Sequence, residues 1–276
     1  MKILKRTQRV KLGQDNQPNY IPTLHQRVTM AITALYTDLS RYYDLMCTDI
    51  NYQEQSHYAY RIHQLFGNQG KNHLDLACGT GLHVQHFLDF GYTSIGLDIN
   101  QPMLNIAQER CPKAKFIQQD MSHFVVEKQV DFISCFLYSI HYNNGLSKLK
   151  ECIACINTAL KPGGVFFFNA VDKNYIDNRE GIKHALTHDE ADFTFQSAWR
   201  YCGEGDKQTL HVVIQRATST HTETWQDEHP MVAISFHDLK ELLLPYFEVF
   251  IFEHDFNKII PWGETTGNAI FVAVKT

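Results

Sequence analysis

The sequence predicts an α/β protein: a mostly parallel seven-stranded sheet with helices on both faces, and an antiparallel β subdomain inserted late in the chain. Three observations carry that prediction. From residue 71 to residue 171, strand-like apolar runs alternate with amphipathic helical runs. A glycine-rich turn joins the first of those strands to its helix within "LDLACGTGLHVQHF" (74–87). After residue 173 the pattern changes to alternating apolar and polar residues with no helix between them.

Taken in order, residues 25–48 read as helical, ending near "RYYDLMC", and 53–66 as a second helix. "KNHLDLA" (71–77) is strand-like, and the helix over 82–91 is stopped by Gly91. "TSIGLD" is a second strand. "QPMLNIAQER" is a helix with Asn100 as N-cap and Pro102 in its first turn. "AKFIQQD" is a third strand and "VDFISCFLY" a buried fourth, followed by a helix over 144–160. The "KPGG" turn (161–164) supplies the backbone freedom to re-enter the sheet as "VFFFNAV". "DFTFQSAWRYC", "QTLHVVIQRA" and "STHTETWQDEH" read as three antiparallel strands. A helix at 236–245, a strand at 247–254 and "NAIFVAVK" close the chain.

Composition bounds the function. A chain of 276 residues suffices for one core with an inserted subdomain, and 44% apolar with 20% charged residues is ordinary for a globular protein. A net charge of −5 argues against a broad nucleic-acid surface. Lys2, Lys5, Arg6, Arg9 and Lys11 make a basic start that lacks the apolar core of a secretory signal and reads as a solvated tail. No apolar run reaches the ~20 residues of a membrane helix. Seven cysteines read as reduced thiols, which suits a cytoplasmic location. Cys152 and Cys155 form a CxxC inside a helical pattern with no partner pair, so no metal site is expected.

Ligands of open α/β sheets bind at the carboxyl ends of the strands. There Gly79 and Gly81 allow backbone amides to approach a ligand, and Asp98 can accept from both ribose hydroxyls. Asp120 can accept from an exocyclic amine, and Met121 with Phe136 can sandwich a flat ring. A dinucleotide fingerprint needs a third small residue where Val84 stands, and a P-loop needs a Gly-Lys-Ser/Thr that is absent.

What remains resembles motif I of the class I S-adenosylmethionine-dependent methyltransferases, carried by Asp75, Ala77, Gly79 and Gly81 with Ala77 in place of the first glycine. "GLDIN" resembles the ribose motif, "QQDM" the adenine-edge motif, and "LKPGG" the turn before strand five. The resemblance runs through 74–170 and implies a Rossmann-like fold, bound S-adenosyl-L-methionine, and a cofactor set extended to Ile99, Met103 and Tyr43. "RYYDLM" and the β insertion are similar to the glycine and sarcosine N-methyltransferases and the amino-sugar N,N-dimethyltransferases, where a lid tyrosine matches Tyr42 or Tyr43. The arginine that holds glycine's carboxylate in that family falls on Lys173 or Asn174 here, so glycine is not the expected acceptor.

The reaction so implied is methyl transfer to a small polar metabolite, nitrogen before oxygen. Alignment and water exclusion do most of the work, and a modest base frees an amine's lone pair. Candidate catalytic residues are His229, His141 and Tyr43; candidate substrate contacts are Tyr42, Tyr138, Tyr142, Asn169 and Arg200. The expected organisation is a basic tail over 1–24, a cofactor unit with an N-terminal helical lid over 25–172 and 236–276, and a substrate-side insertion over 173–235. Two rival readings are a cofactor-binding protein without transferase activity, and a methyltransferase of RNA or protein suggested by the basic tail. Homo-oligomer formation is left open.

Overall fold

The computed structural model of the chain describes residues 9–11, 28–30 and 34–276. The helix expected over 25–48 does not form as such. Arg9–Lys11 (β1) and Val28–Met30 (β2) are short strands, two 3-10 turns cover Ala34–Tyr36 and Ser40–Tyr42, and helix α1 is only Tyr43–Met46. The stretch "VTMAIT" is rich in β-branched residues, which favour extended backbone. It also has a strand to join, since β2 runs parallel to residues 224–226. Within the basic tail, Lys2, Lys5 and Arg6 lie outside the described residues, while β1 pairs antiparallel with residues 180–182.

Helix α2 (Tyr52–Phe66) starts at Asn51, whose side chain accepts the Glu54 N–H at 3.0 Å and donates to its carboxylate at 2.8 Å. The predicted alternation follows: β3 (Asn72–Leu76), α3 (Leu82–Asp89), β4 (Thr93–Asp98), α4 (Gln101–Arg110), β5 (Lys115–Gln118), β6 (Val130–Cys135), α5 (Leu146–Ala159) and β7 (Leu160–Val171). The "KPGG" segment is taken into β7 rather than standing apart as a turn, and the β6–β7 register shifts beside it, between Val130 and Phe132. Asn100 occupies the N-cap position of α4 without capping it, because its side chain turns back to Asp98 at 3.2 Å.

Four antiparallel strands come next, one more than expected: β8 (Glu180–His188), β9 (Ala191–Tyr201), β10 (Lys207–Ala217) and β11 (Thr222–Val232). The missed strand, "EGIKHALTH", buries little of either face and so lacks a clear alternation. Helix α6 (Phe236–Leu243), β12 (Phe247–Glu253) and β13 (Asn268–Lys275) complete the chain.

The main sheet has seven strands in the order β12-β13-β7-β6-β3-β4-β5, parallel except where β13 meets its neighbours. Its direction of winding reverses between β3 and β6, which places a ligand crevice at their carboxyl ends. Alternate residues of β7 serve opposite faces. Phe166 and Phe168 pack with α5 and α6, while Val165 and Phe167 pack with α2 and α3. The second sheet, β1-β8-β9-β10-β11-β2, buries Phe193, Phe195, Val212 and Ile214 against Leu35 and Leu39 of the N-terminal stretch. Each such phenylalanine contributes about 2 kcal/mol by burial, which holds the N-terminal stretch against the second sheet. Among the described residues no helix is long and apolar enough to cross a membrane.

Candidate active site

The site begins where β3 runs out. Ala77, Gly79 and Gly81 all have positive φ (53°, 54° and 81°), a conformation that costs an L residue about 1 kcal/mol and glycine little. A Cβ on Gly81 would stand 3.0 Å from Ala107 Cβ on α4, a tight contact that would press that helix away from the turn. A Cβ on Gly79 would meet only Met103 Cε at 3.4 Å and Tyr43 Cε1 at 3.9 Å. The bare backbone of Gly79 therefore faces a space walled by those two side chains.

Asp98 ends β4 and is 6% exposed. Its Oδ2 accepts the Gly79 N–H at 2.9 Å, and its Oδ1 accepts from Asn100 N–H at 2.8 Å. Burial pushes its carboxyl above the usual range, against the opposing pull of those hydrogen bonds. Ile99 beside it is an exposed apolar residue (58%), Asp120 is exposed beyond the end of β5, and Met121 is half-buried. These residues fit an adenosine-bearing ligand: an acceptor for ribose, an apolar slot for a flat ring, and a carboxylate at its edge. The ring sandwich between Met121 and Phe136 does not form. Phe136 stacks on His83 (centroids 3.6 Å, planes 10° apart) in the core on the α2 side, whereas Met121 packs on the α5 side.

The N-terminal stretch is tied to this turn by a polar clamp that the sequence did not announce. Arg110 on α4 pairs with Asp44 on α1 at 2.6 Å and donates to the Thr80 carbonyl at 2.5 Å. Thr80 Oγ1 donates to the same Asp44 carboxylate at 2.7 Å. Tyr43 is thereby held over Gly79. Tyr42 points elsewhere, packing on Phe193 of β9 with the Arg41 guanidinium 4.7 Å from its ring.

Beyond β6 the backbone is strained, with Leu137 and Tyr138 both at positive φ (52° and 61°). Asn169 of β7 holds this turn by accepting the Tyr138 N–H at 3.2 Å, and its amide lies 3.3 Å from His254 Nε2. Tyr138 stacks on His254 and meets Trp199 edge-on. Together they border a cavity of about 680 Å³ between the second sheet and the ends of β7 and β13. Burial lowers the His254 pKa. Arg200, the neighbour of Trp199 on β9, is not among the residues bordering that cavity; it donates to the Trp199 carbonyl at 2.8 Å.

His141 is not available as a base. Its Nδ1–H donates to the Val232 carbonyl at 2.9 Å and its Nε2 accepts the Val171 N–H at 3.0 Å, so both ring nitrogens brace backbone. Burial holds it neutral, with a pKa lowered to about 4. His229 is different. It is fully buried, with Nδ1 2.7 Å from the Tyr142 hydroxyl and Nε2 3.5 Å from Asp227 Oδ2. The Tyr142 hydroxyl in turn meets that of Tyr36 at 2.5 Å. Burial pushes both phenols up. Tyr36, Asp227 and His254 escaped the sequence reading. A signal for Asp227 was present, since residues two apart on a strand share a face with His229.

The glycine turn, the acid ending the neighbouring strand and the seven-stranded order resemble those of the class I S-adenosylmethionine-dependent methyltransferases. Residues 74–164 match the family described as a methyltransferase domain. Over 93 residues the chain is 37% identical to a dTDP-3-amino-3,4,6-trideoxy-alpha-D-glucopyranose N,N-dimethyltransferase of Streptomyces venezuelae, covering 33% of this chain and 39% of that one. It is 29% identical to a ubiquinone biosynthesis O-methyltransferase of Acinetobacter baylyi over 39% of this chain and 47% of that one. The matched stretch thus spans less than half of each of these two relatives. Among solved structures, Streptomyces venezuelae DesVI superposes with a TM-score of 0.74 at 21% identity, covering 87% of this chain and 99% of that one. The sugar N-methyltransferase KedS8 from a Streptoalloteichus species gives 0.73 at 17% identity, covering 95% and 98%.

Proposed function

We propose that the chain transfers a methyl group from S-adenosylmethionine to an amine nitrogen of a small polar molecule. The observation that carries the reading is the cavity of about 680 Å³ beside the strained Tyr138 turn, bordered by aromatic and polar side chains and sized for a metabolite. The relatives named as amino-sugar N,N-dimethyltransferases support nitrogen as the acceptor.

The cofactor, when bound, supplies a methyl group activated on a sulfonium that leaves as a neutral thioether. Everything else falls to the chain. Asp98 takes a ribose hydroxyl, Asp120 and the slot at Ile99 and Met121 take the base, and Gly79 with Met103 and Tyr43 enclose the remainder. Tyr138 and Asn169 place the acceptor, Trp199 covers it, and the closed N-terminal stretch keeps water out. In this reading residues 173–235 are the substrate-side unit and the rest of the described chain the cofactor unit. All seven cysteines are free thiols, which supports a cytosolic setting.

The test uses labelled S-adenosylmethionine with glucosamine, ethanolamine, glycine and methylamine, beside a phenol and a carboxylic acid, together with calorimetry of S-adenosylhomocysteine. Transfer to an amine is expected. Tight binding of S-adenosylhomocysteine with transfer to the phenol alone, or to none, sinks the reading.

A further inference from the structure

We infer that Asp227, His229, Tyr142 and Tyr36 form a proton relay that draws the proton from the acceptor amine, Tyr36 meeting it and His229 keeping it. The inference rests on the transfer reaction proposed above.

The chemistry of the four groups fixes the direction of the chain. An ionised carboxylate only accepts, so His229 presents Nε2–H toward Asp227, whose Oδ2 also accepts the Leu35 N–H at 2.8 Å. With its proton on Nε2, the ring offers a bare Nδ1 lone pair to Tyr142. Tyr142 must then donate to His229 at 2.7 Å, and its oxygen accepts the Tyr36 hydroxyl at 2.5 Å. Tyr36 is left with an oxygen lone pair, and its ring lies 5.7 Å from that of Tyr43, over the glycine turn. The residues run in sequence from the cofactor side to the interior.

A second feature separates this chain from ordinary core hydrogen bonding. His229 Nε2 and Asp227 Oδ1 are both buried without a hydrogen-bond partner, and the 3.5 Å between Nε2 and Oδ2 is too long for a good bond. A neutral imidazole gains little from that geometry. An imidazolium facing a carboxylate 3% exposed gains an ion pair at the same spot. The other titratable groups acting on the two phenols are Cys47 at the end of α1 and, on Tyr36, Asp98 of β4. A proton received on His229 Nδ1 thus makes a cation that sits opposite the Asp227 carboxylate.

The step balances. The nitrogen–carbon bond forms as the carbon–sulfur bond breaks, its electron pair going to sulfur. Before transfer the acceptor's ammonium loses a proton to Tyr36 oxygen as the Tyr36 proton moves to Tyr142 oxygen and the Tyr142 proton to His229 Nδ1, which frees the nitrogen lone pair that forms the new bond. The ammonium's positive charge thus passes to His229 opposite Asp227, and the charge that begins on sulfur ends on the methylated nitrogen.

The experiment compares Tyr36→Phe, Tyr142→Phe, His229→Gln and Asp227→Asn with the wild-type protein, using whichever amine of the panel above is methylated. Each variant should lose ~10²-fold or more in kcat at neutral pH, with KM and the affinity for S-adenosylhomocysteine within a few-fold of wild type. The loss should shrink as pH rises toward the free amine's own pKa, because a neutral amine no longer needs the relay. Nitrogen-15 spectra of the resting protein should show His229 as the Nε2–H tautomer, with that preference lost in Asp227→Asn. A rate loss of the same size at every pH, or an Nδ1–H tautomer, overturns the relay while leaving the transfer reading in place. Binding of S-adenosylhomocysteine without transfer to any amine overturns the transfer reading and the relay with it. Thermal unfolding of each variant identifies one that fails to fold, and the tautomer measurement on wild type then decides.

Discussion

Replacing Asp98 by alanine tests the cofactor end of the site. A carboxylate offers about four lone-pair positions, and three are engaged: Gly79 N–H on Oδ2, and both nitrogens of Asn100 on Oδ1. One strong acceptor position remains, on Oδ2, so the carboxylate as placed takes one ribose hydroxyl rather than two. A hydrogen bond to a charged group contributes about 1.5–3 kcal/mol. Asp98→Ala should therefore weaken S-adenosylhomocysteine by roughly 10- to 150-fold, read by calorimetry. The same change strips the Gly79 N–H of its partner, so the ligand-free variant should also unfold at a lower temperature. Since burial raises the Asp98 carboxyl, wild-type affinity should fall as pH drops through that raised range, and the gap between the proteins should narrow there. A folded variant that binds within twofold of wild type would refute the assignment of Asp98.

Three further outcomes follow from named contacts. Arg110→Met removes the clamp on α1; with the pair about a quarter to a third exposed, the loss is about 1 kcal/mol, or roughly fivefold in S-adenosylhomocysteine affinity, and Asp44→Asn in that background should add little. Ala77→Gly relieves a left-handed residue (φ 53°) and should raise Tm by about 2 °C; an unchanged or lower Tm argues against strain at Ala77. Asp75 accepts from Ser134 at 2.6 Å, and burial raises its carboxyl to about 7, with Asp98 adding to the rise. Its unfolded value is about 3.9, so its protonated form stabilises the fold fully below that value and the contribution is lost as pH rises through 7. Asp75→Asn keeps the acceptor without the charge and should raise Tm clearly at pH 8 and little at pH 4, whereas equal gains at both, in scanning calorimetry, remove the buried charge as the cause.

The division between what the sequence disclosed and what it withheld follows the range of the contacts. Gly79, Asp98 and Asp120 sit at ends of consecutive strands, so a local pattern repeated along the chain is enough to place them in one crevice. Phe136 obeys the same pattern yet turns to the opposite face, because one step along a strand exchanges the two sides and only packing on His83 reveals which side it took. The buried polar chain of Tyr36, Tyr142 and His229 is of another kind. Tyr36 reaches Tyr142 across 106 residues, Tyr142 reaches His229 across 87, and Leu35 reaches Asp227 across 192. No periodicity records such pairs. They arise only because the N-terminal stretch abandons its helix to lie along β11 and pack on Phe193 and Phe195. The departure from the predicted helix and the assembly of the buried polar chain are therefore one event. A helix drawn over 25–48 would have swung Tyr36 away from Tyr142 and left His229 as one histidine among fifteen.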